Sequence, residues 1–252
     1  MIRGSETPTL PKPLPEPTAS PPLEAFLLPL LRWEDALRIQ QRLVYEMGEP
    51  PRRRGCFIVA EHPPTITIGR QGHADDVLDD DPPVPRHWTN RGGGAWRHGP
   101  GQLAIYPTVA LEPHPGAVTA FRDALYGALL DVLADFQVAG ERDREHGGIT
   151  VGGRQIAAVG IAVRGWMTFH GCVLNVSMPD DELASVRATP GRPERRQTCQ
   201  LRERVLPIRP QTLRETAARR FAERLGFAQC LLVPPPLPLR PPRNARRHAV
   251  VR

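Results

Sequence analysis

Arg91-Gly-Gly-Gly-Ala-Trp-Arg-His-Gly-Pro-Gly-Gln-Leu-Ala-Ile-Tyr-Pro107 holds five glycines and a His-Gly-Pro turn ahead of a strand-like apolar segment. Glycine is the default residue where backbone adopts φ > 0 or approaches a ligand closely. A run this rich in glycine reads as a backbone surface on which an extended ligand lies. A flexible surface loop would have no need of an arginine, a tryptophan and a histidine at set places, or of a strand directly after them.

Working outward, Cys56–Ala60 is a short apolar strand closed by Glu61-His-Pro-Pro64, and Thr65-Ile-Thr-Ile-Gly69 alternates as a strand does. A first helix is predicted over 33–47, with Leu37, Gln40, Gln41 and Val44 on one face. A second spans 117–137, where Val118, Phe121, Leu125, Leu129, Val132 and Phe136 form an apolar stripe suited to core packing. Gly147–Gly153 reads as a hairpin, because paired glycines flank a β-branched run. Two strands follow, Gln155–Val163 and Met167–Val176, and a last helix covers about 211–226 with Leu213, Ala217, Phe221 and Leu225 on one side. Strands and helices mix without βαβ regularity, which predicts an α+β domain with an antiparallel sheet.

The chain has 252 residues, 30 of them proline, and the prolines concentrate at its ends. Residues 1–22 and 234–252 read as disordered Pro-rich tails, leaving one domain over 23–233. The net charge is +6, of which Arg240, Arg243, Arg246, Arg247 and Arg252 supply +5. The domain itself is therefore near neutral, which argues against nucleic-acid binding. Lys12, in the N-terminal tail, is the only lysine, so no ammonium serves the fold. Cys56, Cys172, Cys199 and Cys230 show no metal spacing and read as free thiols of a reducing cytoplasm. No apolar stretch reaches the roughly 18–20 residues of a membrane span. Neither a metal nor a cofactor is expected.

Three glycine-marked segments recur beside strands: Arg91–Pro107, Ala157-Ala-Val-Gly160 and His170-Gly-Cys-Val-Leu-Asn-Val176. Together with Glu61-His-Pro-Pro64, in this order, they resemble the octanoyl-[acyl-carrier-protein]:protein N-octanoyltransferases, also called lipoate–protein ligase B, over about 36–205. The resemblance implies a biotin/lipoate ligase-like fold with a mixed, mostly antiparallel sheet and flanking helices. It implies acyltransferase activity: octanoyl transfer from octanoyl-acyl carrier protein to a lysine on lipoyl domains of 2-oxoacid dehydrogenases or the glycine cleavage protein, the first step of lipoate assembly. The implied acyl surface is Arg91, Gly92, Gly93, Gly94, Ala95, Trp96, Arg97 and His98, with Ala158, Val159 and Gly160, and Gly171, Cys172 and Val173.

Members of that family use a cysteine that becomes an acyl thioester and a lysine that helps to ionise it. Here the lysine position is Gln155, and the cysteine position is Thr189, or Pro190 after a one-residue slip. A threonine hydroxyl needs a dedicated base, and glutamine cannot take a proton. His98 and His170 are candidate bases and Cys172 a substitute thiol, with a small core residue as its other reading. Two further readings stand beside the transferase: a catalytically inactive acyl- or carrier-protein-binding homologue, and an ATP-dependent lipoate ligase. The ligase would require a lysine that the fold lacks.

Overall fold

A computed structural model describes residues 22–47, 55–78, 83–144, 147–187, 200–204 and 207–234. Both expected tails fall almost wholly outside these spans, as do Thr189, Pro190 and Cys199.

In chain order the elements are β1 (Leu23–Leu28), α1 (Trp33–Met47), β2 (Gly55–Ala60), β3 (Thr65–Ile68), β4 (Arg86–Trp88), β5 (Ala95–His98), β6 (Gln102–Val109), α2 (Ala117–Asp135), β7 (Glu141–Arg142), β8 (Ile149–Val151), β9 (Arg154–Arg164), β10 (Met167–Asn175), α3 (Asp180–Ala184), α4 (Pro210–Arg224) and β11 (Cys230–Leu232). Eight strands form one sheet in the order β11-β1-β2-β6-β10-β9-β8-β7. β1 runs parallel to both β11 and β2, and every other pair is antiparallel. A second sheet has the order β4-β3-β5. The architecture is thus the mixed, mostly antiparallel α+β domain that the sequence predicts.

Tight turns set the long central strands. Gly152 and Gly153 take φ of 58° and 74° between β8 and β9, and Gly165 and Trp166 take 55° and 63° between β9 and β10. Positive φ at both central positions matches the right-handed twist of a hairpin. Alternation along the strands then sends side chains to opposite faces. Leu103, Ile105, Ala157, Cys172 and Leu174 join Phe121, Leu125 and Leu129 of α2 and Leu213, Ala217 and Phe221 of α4 in one core. Ala104, Tyr106 and Val173 join Ile39, Leu43 and Met47 of α1, together with Trp96, in the other.

The buried face of α1 differs from the expected one. Trp33, Ala36, Ile39, Gln40, Leu43 and Met47 turn inward, and of the predicted set only Gln40 is buried. Spacings of three and four link the residues of both stripes. The large sheet takes the stripe with more apolar bulk, because burial is favourable in proportion to apolar area. On α2, Val118 is 41% exposed and borders an open groove instead of joining the core.

Candidate functional site

The glycine run is held along its whole length. Backbone N–H groups of Gly69, Arg70 and Gln71 donate to the carbonyls of Gly94, Arg91 and Gly93, at 3.0, 3.0 and 3.2 Å. Gly93 N–H donates to the Gln71 side chain. Gly92 N–H donates to Ile161 O of β9 at 3.0 Å, laying the loop against the large sheet. A Cβ at position 160 would sit 2.6 Å from Gly92 O and 2.8 Å from the Trp96 ring, so this crossing requires a glycine there.

Arg91 anchors the loop from inside. Its Nε and Nη2 donate to Thr67 Oγ1 at 3.2 and 2.8 Å, Nη2 also to Thr67 O at 2.8 Å, and Nη1 to Gly92 O at 2.9 Å. The guanidinium lies over the Trp96 indole, 3.8 Å from the ring centroid. Burial lowers its pKa to about 9, which leaves it a cation at neutral pH.

From Thr67 a buried polar chain crosses the site. Arginine has only donors, so Thr67 Oγ1 accepts from Arg91 and its single proton goes to His98 Nε2, 2.9 Å away. The His98 Nδ1–H then donates to Gln102 Oε1 at 3.0 Å, and Gln102 Nε2 donates to Asn175 Oδ1 at 3.0 Å. Burial holds His98 well below the ordinary histidine range, helped by the His62 ring and the Arg91 charge. His98, one of the two candidate bases, therefore has both ring nitrogens engaged.

His170 sits in left-handed backbone, φ 59°. Its N–H donates to Gln40 Oε1 of α1 at 2.7 Å, and its Nε2–H donates to Asn90 Oδ1 at 2.7 Å. Burial first, then Arg91, lowers its pKa to about 4, so it is neutral at pH 7.

Gln155 is buried at the start of β9, where its Nε2 donates to Ala157 O at 3.3 Å. It lines a cavity of about 40 Å³ with Trp96, Arg97, Gln102, Ala158, Val173 and Asn175, and Leu183 and Val186 from α3 and beyond complete the wall. Trp96, Arg97, Ala158 and Val173 of the expected acyl surface meet here, Ala158 being paired to Val173 across β9 and β10, whereas Gly92, Gly93, Val159 and Gly160 face the groove on the other side. Cys172 does not join them. It is paired with Ile105 and Val159 and points into the core under α2 and α4, where burial pushes its thiol far up. The thiol read as a possible substitute nucleophile thus packs in the core and does not line the cavity at Gln155.

Thr67, Gln102, Leu183 and Val186 carry the site without having been singled out in the sequence. The Thr65–Ile68 alternation and the short step from His98 to Gln102 were the available signals. On its other side the glycine loop borders an open groove of about 510 Å³, walled by Arg70, Arg122, Tyr126 and residues 159–163.

Solved lipoate ligases share this fold. A lipoate–protein ligase A bound with ATP superposes with a TM-score of 0.66 at 16% identity, covering 84% of this chain and 87% of that one. A bipartite lipoate protein ligase from Thermoplasma acidophilum, solved in a study that includes its E2 lipoyl domain, gives 0.62 at 16% identity, covering 84% and 88%. Residues 33–228 match the lipoyl protein ligase A/B catalytic domain, and the chain belongs to that family, on its octanoyltransferase side. The octanoyltransferase of Gloeobacter violaceus is 36% identical over 165 residues, 65% of this chain and 72% of that protein. The one from Geobacter metallireducens is 38% identical over 160 residues, 63% and 71%.

Proposed function

We propose that this acyltransferase moves an octanoyl group from octanoyl-acyl carrier protein to the ε-amine of a lysine on a lipoyl domain, in the cytoplasm, as a step of lipoate assembly. The observation that carries this reading is the glycine loop seated on β9 at Gly160, with Trp96 just after it lining a hollow together with Gln155. Family membership agrees with it. Cys56, Cys172 and Cys230 are free thiols, in keeping with a reducing compartment.

The residues at the two catalytic positions decide the route. In a relay, Thr189 would take the acyl group first, and its hydroxyl would need a base. Gln155 cannot accept a proton, and His98 has both ring nitrogens bonded. Direct attack spares the threonine hydroxyl; the acceptor lysine, an ammonium at neutral pH, first loses one proton to water. The acceptor's neutral amine bonds to the thioester carbon, the C–S bond breaks, and the amine proton leaves with the carrier thiol. Orientation of two bound reactants can supply on the order of 7–11 kcal/mol of the barrier. We therefore assign direct transfer as the route, with the cradle acting as a positioning surface.

Intact-mass spectrometry of the protein, octanoyl-acyl carrier protein and an apo lipoyl domain tests this. The expected result is an octanoylated lipoyl domain above the enzyme-free control, with no acyl adduct on the protein. A hydroxylamine-resistant adduct on the protein would replace direct attack with the Thr189 relay. Carrier-protein binding with no acylated product would overturn the transferase reading in favour of a binding homologue.

A further inference from the structure

We propose that Trp96 is the end wall of the acyl pocket and sets the chain length that the protein accepts, an inference that rests on the acyl-transfer reading above. The hollow lined by Gln155 and Ala158 of β9 and Val173 of β10 is where an acyl tail would run, and the Trp96 indole forms one of its walls. Its Cη2 and Cζ2 are 2.8 and 3.1 Å from the place where a Gly160 Cβ would be, so the ring rests on bare backbone of β9. The same side chain is buried among Val173, Ala104 and Tyr106, with Ala158 beside it.

The indole is held rather than loosely packed. Arg91 covers the ring at 3.8 Å and is itself fixed by its bonds to Thr67 and Gly92. His98 meets the ring edge-on, with centroids 6.3 Å apart. A cation over an aromatic face, away from water, resists displacement.

Volume gives the consequence. With the indole in place, the cavity beside it measures about 40 Å³. An apolar cavity of about 150 Å³ is what holds benzene, a six-carbon ring. The space beside Trp96 thus admits the carbonyl end and the first methylenes of an acyl chain. Every further methylene must push the indole aside and disturb its contact with Arg91. In an open apolar pocket each added methylene would instead improve binding by about fourfold. The tail therefore meets a stop where other apolar pockets give a gain.

The test measures calorimetric binding and acyl transfer for thioesters of four, six, eight, ten and twelve carbons on acyl carrier protein. It compares the native chain with Trp96→Ala and with Trp96→Leu, which keeps the core better filled, and thermal melts establish that each variant is folded. The expected result is a native profile in which affinity no longer rises beyond four carbons, while in the variants affinity keeps rising with length. The variant-to-native ratio should grow at least tenfold from four to twelve carbons, mostly in KM. Parallel profiles in all three proteins would overturn the role of Trp96 while leaving the transferase reading intact. Failure of every chain length to bind any folded form would remove both.

Discussion

At the scale of single residues, the site is built from neutral histidines buried beside a buried arginine. His62 donates from Nδ1 to Leu31 O at 2.5 Å, and its Nε2 accepts from the Tyr106 hydroxyl at 2.6 Å. Burial brings both His62 and His170 down to about 4 from an ordinary value of 6.5. A histidine whose folded pKa lies below its unfolded one favours the folded state fully above about pH 6.5. That contribution is lost as pH falls from 6.5 towards 4. Each could account for up to about 3 kcal/mol. Urea midpoints of the native chain measured between pH 7 and pH 4 should fall more steeply than those of His62→Asn, and equal slopes would refute the assignment. For Cys172, replacement by alanine should cost about 1 kcal/mol, as a small core truncation does, and leave acyl transfer within threefold of native. Transfer abolished in folded Cys172→Ala would restore the thiol as nucleophile. The sequence could mark Arg91, Trp96 and His98 as a site because they are neighbours in the chain. It could not supply Thr67, which is 24 residues from Arg91, or the bond from Gln102 to Asn175, 73 residues on, because only the folded sheets bring them together.

Between elements, the His98–Gly101 turn is the joint on which the site depends. Gly101 O accepts from Val176 N and Ser177 N at 2.9 and 2.8 Å, and Gly101 N donates to Glu61 Oε2 at 2.8 Å. Glu61 Oε1 in turn accepts from Arg214 Nη2 of α4 at 2.7 Å. One turn thereby ties together the ends of β2, β5, β6 and β10 and the start of α4. Gly101 has φ 86°, and a Cβ there would lie 2.6 Å from Met178 N. Gly153 has a comparable φ of 74° with nothing within 4 Å. Alanine at 153 incurs only the left-handed backbone penalty, about 1 kcal/mol. Alanine at 101 adds a clash with backbone that cannot yield, so its loss should exceed that of Gly153→Ala by at least about 2 kcal/mol. Thermal melts of the two variants compare them directly, and equal losses would mean that the turn gives way more easily than its contacts imply. The hairpins were legible because their signals are local glycine pairs. β1, β4 and β5 were not: Leu23–Leu28 lacks strict alternation, and β4 and β5 are short strands at the edges of the small sheet. The face of α1 was misassigned for a related reason: two stripes of similar spacing exist on the helix, and only the partner sheet selects between them.

For the molecule as a whole, one sheet lies between two cores, and α4 shows which forces hold the layers together. Its outer side carries ion pairs: Arg224 with Asp131 at 2.5 Å, and Arg219 and Arg220 with Asp135 at 2.9 and 2.5 Å. These groups are partly to well exposed, and pairs of that kind contribute roughly 0–1 kcal/mol, less at high salt. Its inner side carries Phe221, fully buried and edge-on to Phe57 of β2 with centroids 6.2 Å apart. Truncating a buried phenylalanine costs about 3–5 kcal/mol. The apolar face should therefore dominate by several fold. Arg224→Ala should shift the urea midpoint by less than 1 kcal/mol equivalent and lose that effect in high salt, whereas Phe221→Ala should lose about 3–5 kcal/mol regardless of salt. Because α4 also presents Arg214 to Glu61, loosening its seat should reach the end of the sheet that carries the candidate site. Phe221→Ala assayed well below its own melting temperature should then show weakened acyl transfer, while Arg224→Ala should not. A Phe221→Ala protein that is destabilised yet fully active would mean that the Arg214–Glu61 grip keeps the His98–Gly101 turn in place even when the packing beneath α4 is lost.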